Sequence, residues 1–136
     1  MRRVLPVLAM LLGLLLPTVQ QVAAGTIVGT SESAASSVVA EMEGGADRCL
    51  DLDTVYQFDC FRQSYKSASS ELRHRIDYQD AKTALEVVEE ALDDILRRNR
   101  DRSQQTIRVN GKTYKAIKPE AVAAASRSFQ AARQEA

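Results

Sequence analysis

The chain has 136 residues, of which 18 are basic and 18 acidic, so its formal net charge at pH 7 is zero. This length is enough for one domain with a modest core. The balanced charge argues against nucleic acid as a partner, because nucleic-acid-binding domains carry a basic excess.

The first 24 residues have the three parts of a secretory signal peptide. Two arginines precede an apolar run over residues 4–16, and small residues follow at positions 22–24. The run is shorter than the roughly 20 residues that a membrane span needs. We therefore predict a signal peptide at residues 1–24, cleaved after Ala24, and a periplasmic or secreted protein. An uncleaved anchor is the alternative.

Residues 25–37 are rich in glycine, serine and threonine, which predicts a flexible N-terminal segment ahead of a single helical domain at residues 38–136. A short helix is expected from about Ser33 to Glu43. Gly44-Gly45 would end it, because glycine favours the left-handed backbone of helix C-termini.

The stretch from Cys49 to Ile76 predicts an amphipathic helix. Either Asp51 or Asp53 could cap its N-terminus. Apolar residues follow at steps of three or four, which places them on one side of a helix: Phe58, Phe61, Tyr65, Ala68, Leu72 and Ile76. Polar residues that include Arg62 and Ser69 are expected on the opposite side.

Both cysteines lie in this stretch. In an exported protein, two cysteines favour a structural disulfide between Cys49 and Cys60. A zinc half-site is the alternative, but His74 is the only histidine and has no companion ligands. No metal or cofactor is therefore expected.

The same stretch resembles the cysteine-bearing motif of small exported bacterial proteins of the lysozyme-inhibitor-like type. The residues that carry the resemblance are Cys49, Cys60, Gln63, Tyr65, Ala68, Glu71 and Leu72. The Asp-x-x-Leu-Asn run usual in that family is replaced by a segment containing Ser69, Ser70 and Arg73. The resemblance implies binding of a muramidase through an acidic surface, and the candidate is the loop bearing Asp47, Asp51 and Asp53.

A second strong helix is predicted from about Asp77 to Arg100, with an apolar stripe at Ala81, Leu85, Val88, Leu92 and Ile95. Its acidic residues are best explained as a solvated helix face.

Residues 106–117 then predict a β-hairpin, because Asn110-Gly111 suits a type I′ turn. In this register Val109 faces Lys112 and Ile107 faces Tyr114. A last helix is expected from about Pro119 to Gln134. The fold class is thus mainly α, a bundle of three or four helices with one hairpin before the last helix.

The charges divide along the chain. Residues 25–96 hold 15 acidic and 6 basic side chains, whereas residues 97–118 hold 8 basic ones and Asp101 alone. The basic residues form a candidate patch for an anionic partner: Arg97, Arg98, Arg100, Arg102, Arg108, Lys112, Lys115 and Lys118. The alternative is a solvated loop and hairpin whose cations protect an exposed strand edge.

No catalytic signature accompanies these features, since a lone histidine without a nucleophile-elbow pattern gives no triad. We predict a non-catalytic, disulfide-stabilised exported protein that binds another cell-envelope component or itself. Envelope proteins, anionic envelope polymers and the membrane surface are the expected partners. The alternative is an inhibitor of a muramidase or another secreted hydrolase.

Overall fold

A computed structural model describes residues 29–136, with side chains from residue 33. The predicted signal peptide lies outside the described residues. The described chain is mainly helical with a two-stranded hairpin before the last helix, as predicted. Its elements are α1 (Gly29–Leu50), α2 (Thr54–Glu71), α3 (Gln79–Asn99), β1 (Ile107–Val109), β2 (Lys112–Tyr114) and α4 (Val122–Glu135).

Helix α2 is the central element, because it packs against both α1 and α3, while α4 packs against α3. The predicted stripes on α2 and α3 meet in the core. There Phe58 and Leu92 are 3% and 0% exposed, and Ala125 of α4 joins them. None of the helices in the described part of the chain is long and apolar enough to cross a membrane.

Helix α1 differs from its prediction at both ends. It begins at Gly29, so residues 29–37, part of the segment predicted to be flexible, are helical. It also continues through Gly44-Gly45 to Leu50, so the predicted end at the glycine pair is wrong. Gly45 instead serves the packing of α1 on α2. A Cβ atom at Gly45 would lie 2.6 Å from Ser64 Oγ, so Gly45 allows α1 to approach α2 closely.

This contact predicts opposite effects for two neighbouring substitutions. Gly45→Ala should destabilise the protein by about 1–3 kcal/mol, because its methyl group would overlap Ser64 and force the helices apart. Gly44→Ala is the matched control. Its Cβ would meet only the flexible end of Arg48 at 3.2 Å, so the better helix propensity of alanine should stabilise by about 0.5–1 kcal/mol. Urea denaturation of both variants checks the pair, and equal effects would contradict the role of Gly45.

Helix α2 ends earlier than its apolar stripe predicts. Asp53 caps its start, with Val55 N–H donating to Asp53 Oδ1 at 3.3 Å. At the other end the N–H of Leu72 bonds to the carbonyls of Ser69 and Ser70, and the helix stops there. Ile76 therefore lies beyond the helix and is 86% exposed, so its assignment to the apolar stripe is wrong. Ser69, predicted on the polar side, is buried and donates to the Lys66 carbonyl.

The hairpin has the predicted register, with Ile107 opposite Tyr114 and Val109 opposite Lys112. Asn110 and Gly111 have φ values of 51° and 80°, as a type I′ turn requires. Tyr114 is buried against the disulfide between Cys49 and Cys60. The apolar side of the hairpin thus docks on the junction of α1 and α2.

Side chains of α2 hold the hairpin through its backbone. Gln63 Nε2 donates to the Thr113 carbonyl at 2.9 Å, and the Tyr56 hydroxyl donates to the Gln105 carbonyl at 2.9 Å. After the hairpin, the N–H of Ile117 donates to the Val55 carbonyl at 2.9 Å. These bonds fix the hairpin, and residues 115–117 that follow it, relative to α2.

Residues 115–117 also pair with the segment that follows α3. Arg100 and Ile117 form an antiparallel bridge, and Asp101 N–H donates to the Ala116 carbonyl at 3.0 Å. The segments 100–102 and 115–117 are therefore held side by side. Together with α2 and the C-terminal end of α3, they line a cleft.

Candidate functional site: a basic cleft

A cleft of about 360 Å³ lies between α2, the C-terminal end of α3 and the two paired segments. We call it the basic cleft, because five of its lining residues are cationic and two are acidic. Its lining consists of Asp59, Arg62, Asp93, Leu96, Arg97, Arg100, Arg102 and Lys115.

Asp59 is the buried anchor of the basic cleft, with 1% of its surface exposed. Its Oδ1 accepts two hydrogen bonds from Arg62, from Nε at 3.0 Å and from Nη2 at 2.8 Å. Its Oδ2 accepts the backbone N–H of Lys115 at 2.8 Å. One carboxylate therefore fixes the Arg62 guanidinium and the backbone from which the Lys115 side chain extends.

The remaining cations of the basic cleft have fewer partners. Arg97 bonds to Asp94, which lies outside the cleft. Arg100, Arg102 and Lys115 form no side-chain ion pair with any residue in the described range 33–136. In addition, Arg100 Nε is buried and has no hydrogen-bond partner there. Buried polar groups without partners are uncommon in folded proteins and often mark a functional site.

The structure brings together only half of the basic patch predicted from sequence. Four of its members line the basic cleft: Arg97, Arg100, Arg102 and Lys115. The other four do not: Arg98, Arg108, Lys112 and Lys118. Arg98 forms an ion pair with Asp94, with its Nη2 3.0 Å from Asp94 Oδ2.

Sequence reasoning missed the two residues that organise the basic cleft. Asp59 and Arg62 stand three positions apart on α2, a spacing at which helical side chains meet. That pairing was the available signal. It did not reveal that Asp59 would be buried, because burial depends on the distant segment around Lys115.

Asp101 stands between two of the cationic residues but does not line the basic cleft. Ser103 donates to Asp101 Oδ1 from its hydroxyl at 2.6 Å and from its backbone N–H at 2.9 Å. These hydrogen bonds, with a smaller contribution from Lys118, lower the pKa of the Asp101 carboxyl. The charged Asp101 carboxylate is thus stabilised by its hydrogen bonds from Ser103.

The three acidic residues predicted as a binding loop lie on either side of Cys49 along the chain. Asp47 is exposed in the last turn of α1, Asp51 lies in the connection to α2, and Asp53 serves as the cap of α2. Leu50, between them, is 64% exposed, whereas its neighbour Cys49 is fully buried. The result is a short acidic turn with an apolar tip, anchored by the disulfide.

A second cavity of about 390 Å³ lies between α1, α2 and α4 and is mostly apolar. Phe129 of α4 packs there at 5.3 Å from the Phe61 ring and at 6.1 Å, edge to face, from the Tyr65 ring. Arg133 lies 5.7 Å from the Phe129 ring centre. Burial raises the pKa of the Tyr65 phenol above its usual value, and the nearby Arg133 partly offsets this.

Within residues 33–136 there is no cluster of histidine, cysteine, aspartate or glutamate side chains that could hold a metal ion. The fold and the site together define a disulfide-bonded helical bundle with a docked hairpin and a cationic cleft. Comparison of the chain with protein-family models, with curated proteins and with solved structures gives no match.

Proposed function

We propose that the protein is an exported, non-catalytic binding protein whose basic cleft binds an anionic group of another cell-envelope component. The observation that carries this proposal is the convergence of Arg100, Arg102 and Lys115 in one cleft without ion-pair partners in the described chain. Guanidinium groups suit this role, since their planar donors match the oxygens of carboxylates and phosphates.

The basic cleft is better suited to specific binding than a flexible basic surface. Asp59 holds Arg62 and the Lys115 backbone, and the bridge between Arg100 and Ile117 holds segment 100–102 beside residues 115–117. A site whose backbone is already held in place loses less conformational entropy when a ligand binds. The disulfide supports export, because structural disulfides persist mainly in oxidising compartments.

Site-specific photo-crosslinking in the producing cells tests the proposal. A photoreactive residue is placed at position 102 in the basic cleft, at position 108 on the hairpin, or at position 51 in the acidic turn. We expect one dominant envelope adduct from position 102, and Arg100→Gln should reduce its yield. Position 108 is the matched control, because Arg108 has the same charge but does not line the cleft.

Equal adducts from positions 102 and 108 would contradict the proposal and indicate diffuse charge attraction. Adducts from position 102 to the acidic turn of a second copy would identify the partner as the protein itself. The exposed Leu50 within the acidic turn favours one other candidate function, inhibition of a secreted hydrolase such as a muramidase. A hydrolase captured from position 51 alone would favour that function.

A further inference from the structure

We propose that the group bound in the basic cleft is a phosphate monoester, either on a soluble molecule or on a membrane lipid. This inference rests on the proposed function and specifies the ligand of the same site. Three properties of the basic cleft support it: its excess charge, the arrangement of its unpaired donors, and its size and accessibility.

The charge of the basic cleft exceeds what a carboxylate ligand would neutralise. Five cationic and two acidic residues line it, which leaves a surplus of three positive charges. Asp94 offsets part of the charge of Arg97 from outside. A phosphate monoester carries a charge of about −1.5 to −2 at pH 7, compared with one negative charge for a carboxylate. The monoester therefore compensates the remaining cations better.

The cations without an ion-pair partner in residues 33–136 come from two segments that pair with each other. Arg100 and Arg102 follow α3, and Lys115 follows β2. A carboxylate has two oxygens in one plane, whereas the terminal oxygens of a phosphate monoester are three and point in different directions. Donors from two neighbouring segments of the lining can meet more of the oxygens of a phosphate monoester than of a carboxylate.

The volume and accessibility of the basic cleft fit a phosphate group on a larger molecule. A volume of about 360 Å³ exceeds that of one phosphate ion, and the cleft opens to solvent. The aliphatic side chain of Leu96 supplies an apolar part of the lining. A monoester can thus enter with its terminal oxygens toward the arginines while the attached molecule extends outward.

Three probes that share a phenyl ring isolate the head group: phenyl phosphate, phenyl sulfate and benzoate. Binding to the full mature chain is followed by chemical-shift changes of backbone amides, at constant ionic strength. Phenyl phosphate should bind about tenfold more tightly than either other probe. Arg100→Gln and Arg102→Gln should each weaken its binding about tenfold, the usual effect of losing a charged hydrogen bond. Arg108→Gln, the control outside the cleft, should change it less than twofold.

Vesicles distinguish the two sources of the monoester. Phosphatidic acid exposes a phosphate monoester, whereas phosphatidylglycerol carries a diester. Binding to phosphatidic acid vesicles that depends on Arg100 would support a lipid ligand, and binding of phenyl phosphate without vesicle binding would support a soluble one.

Equal affinities for phenyl phosphate and benzoate would overturn the phosphate inference. If Arg100→Gln still weakened both, and the crosslinks from position 102 were present, the proposed function would stand with a carboxylate ligand. If Arg108→Gln weakened binding as much as Arg100→Gln, the basic cleft would not be the site. In that case, equal crosslinks from positions 102 and 108 would reject the proposed function as well.

Discussion

Asp59→Ala is expected to lower the free energy of unfolding by about 3–5 kcal/mol, the usual cost of removing one partner of a buried ion pair. Asp59 is 1% exposed and accepts two hydrogen bonds from Arg62 and one from the backbone of Lys115. Its removal would leave the Arg62 guanidinium, 19% exposed, without its close carboxylate. The Lys115 N–H would also lose its acceptor. Denaturant unfolding followed by circular dichroism measures the loss.

Asp93→Ala is the matched control for this prediction. Asp93 faces the same guanidinium, but its side chain is 61% exposed and its Oδ1 lies 3.9 Å from Arg62 Nε. Exposed ion pairs contribute little, so Asp93→Ala should cost less than about 1 kcal/mol. Similar losses for the two variants would show that Asp59 is not the anchor of the cleft.

Asp59→Asn separates the two roles of the carboxylate. The amide oxygen of asparagine can still accept the Lys115 N–H, but the side chain has no charge to balance Arg62. We expect a loss of stability between those of Asp93→Ala and Asp59→Ala. A loss as large as that of Asp59→Ala would mean that the charge, rather than the backbone hydrogen bond, accounts for the effect.

Removal of the disulfide should have the second large effect. The double variant Cys49→Ala/Cys60→Ala is expected to lose about 3 kcal/mol, from the chain-entropy cost of opening a loop of roughly 12 residues. For a domain of about 100 residues this corresponds to a fall in Tm of about 10–20 °C. The loss should include packing contacts of the hairpin, because Tyr114 packs directly against the two half-cystines.

Reduction of the unmodified protein provides the control. Dithiothreitol should lower the Tm of the unmodified protein by about as much as the double substitution does, and it should leave the double variant unchanged. An unmodified protein whose Tm does not respond to complete reduction, verified by thiol titration, would contradict a stabilising role for the disulfide.

Local patterns in the sequence were sufficient to predict most of the fold. Helical spacing predicted α2, α3 and α4, and the Asn110-Gly111 turn predicted the hairpin with its register. The disulfide was predicted from the presence of two cysteines in a chain expected to be exported, and it is confirmed. These features depend on residues that are close together in the chain, so they can be predicted without knowledge of the tertiary contacts.

Three of the differences share another cause, because each depends on a distant part of the chain. Gly45 does not end α1, since it lies where α2 approaches closely at Ser64. The role of Asp59 was missed, because it depends on the backbone of Lys115, 56 residues later in the chain. Only four of the eight residues of the predicted basic patch line the cleft, because pairing of Arg100 with Ile117 decides which cations come together.

The long-range hydrogen bonds of Asp59 and Val55 also set an order for folding. The disulfide joins residues only 11 positions apart, so in an oxidising compartment it needs only α1 and α2 to form. The bonds from Lys115 to Asp59 and from Ile117 to Val55 must wait for the C-terminal third of the chain. Because contacts between distant residues slow folding, closure of the C-terminal third onto α2 should be the slow step. The chain would therefore form its disulfide first and complete the basic cleft last.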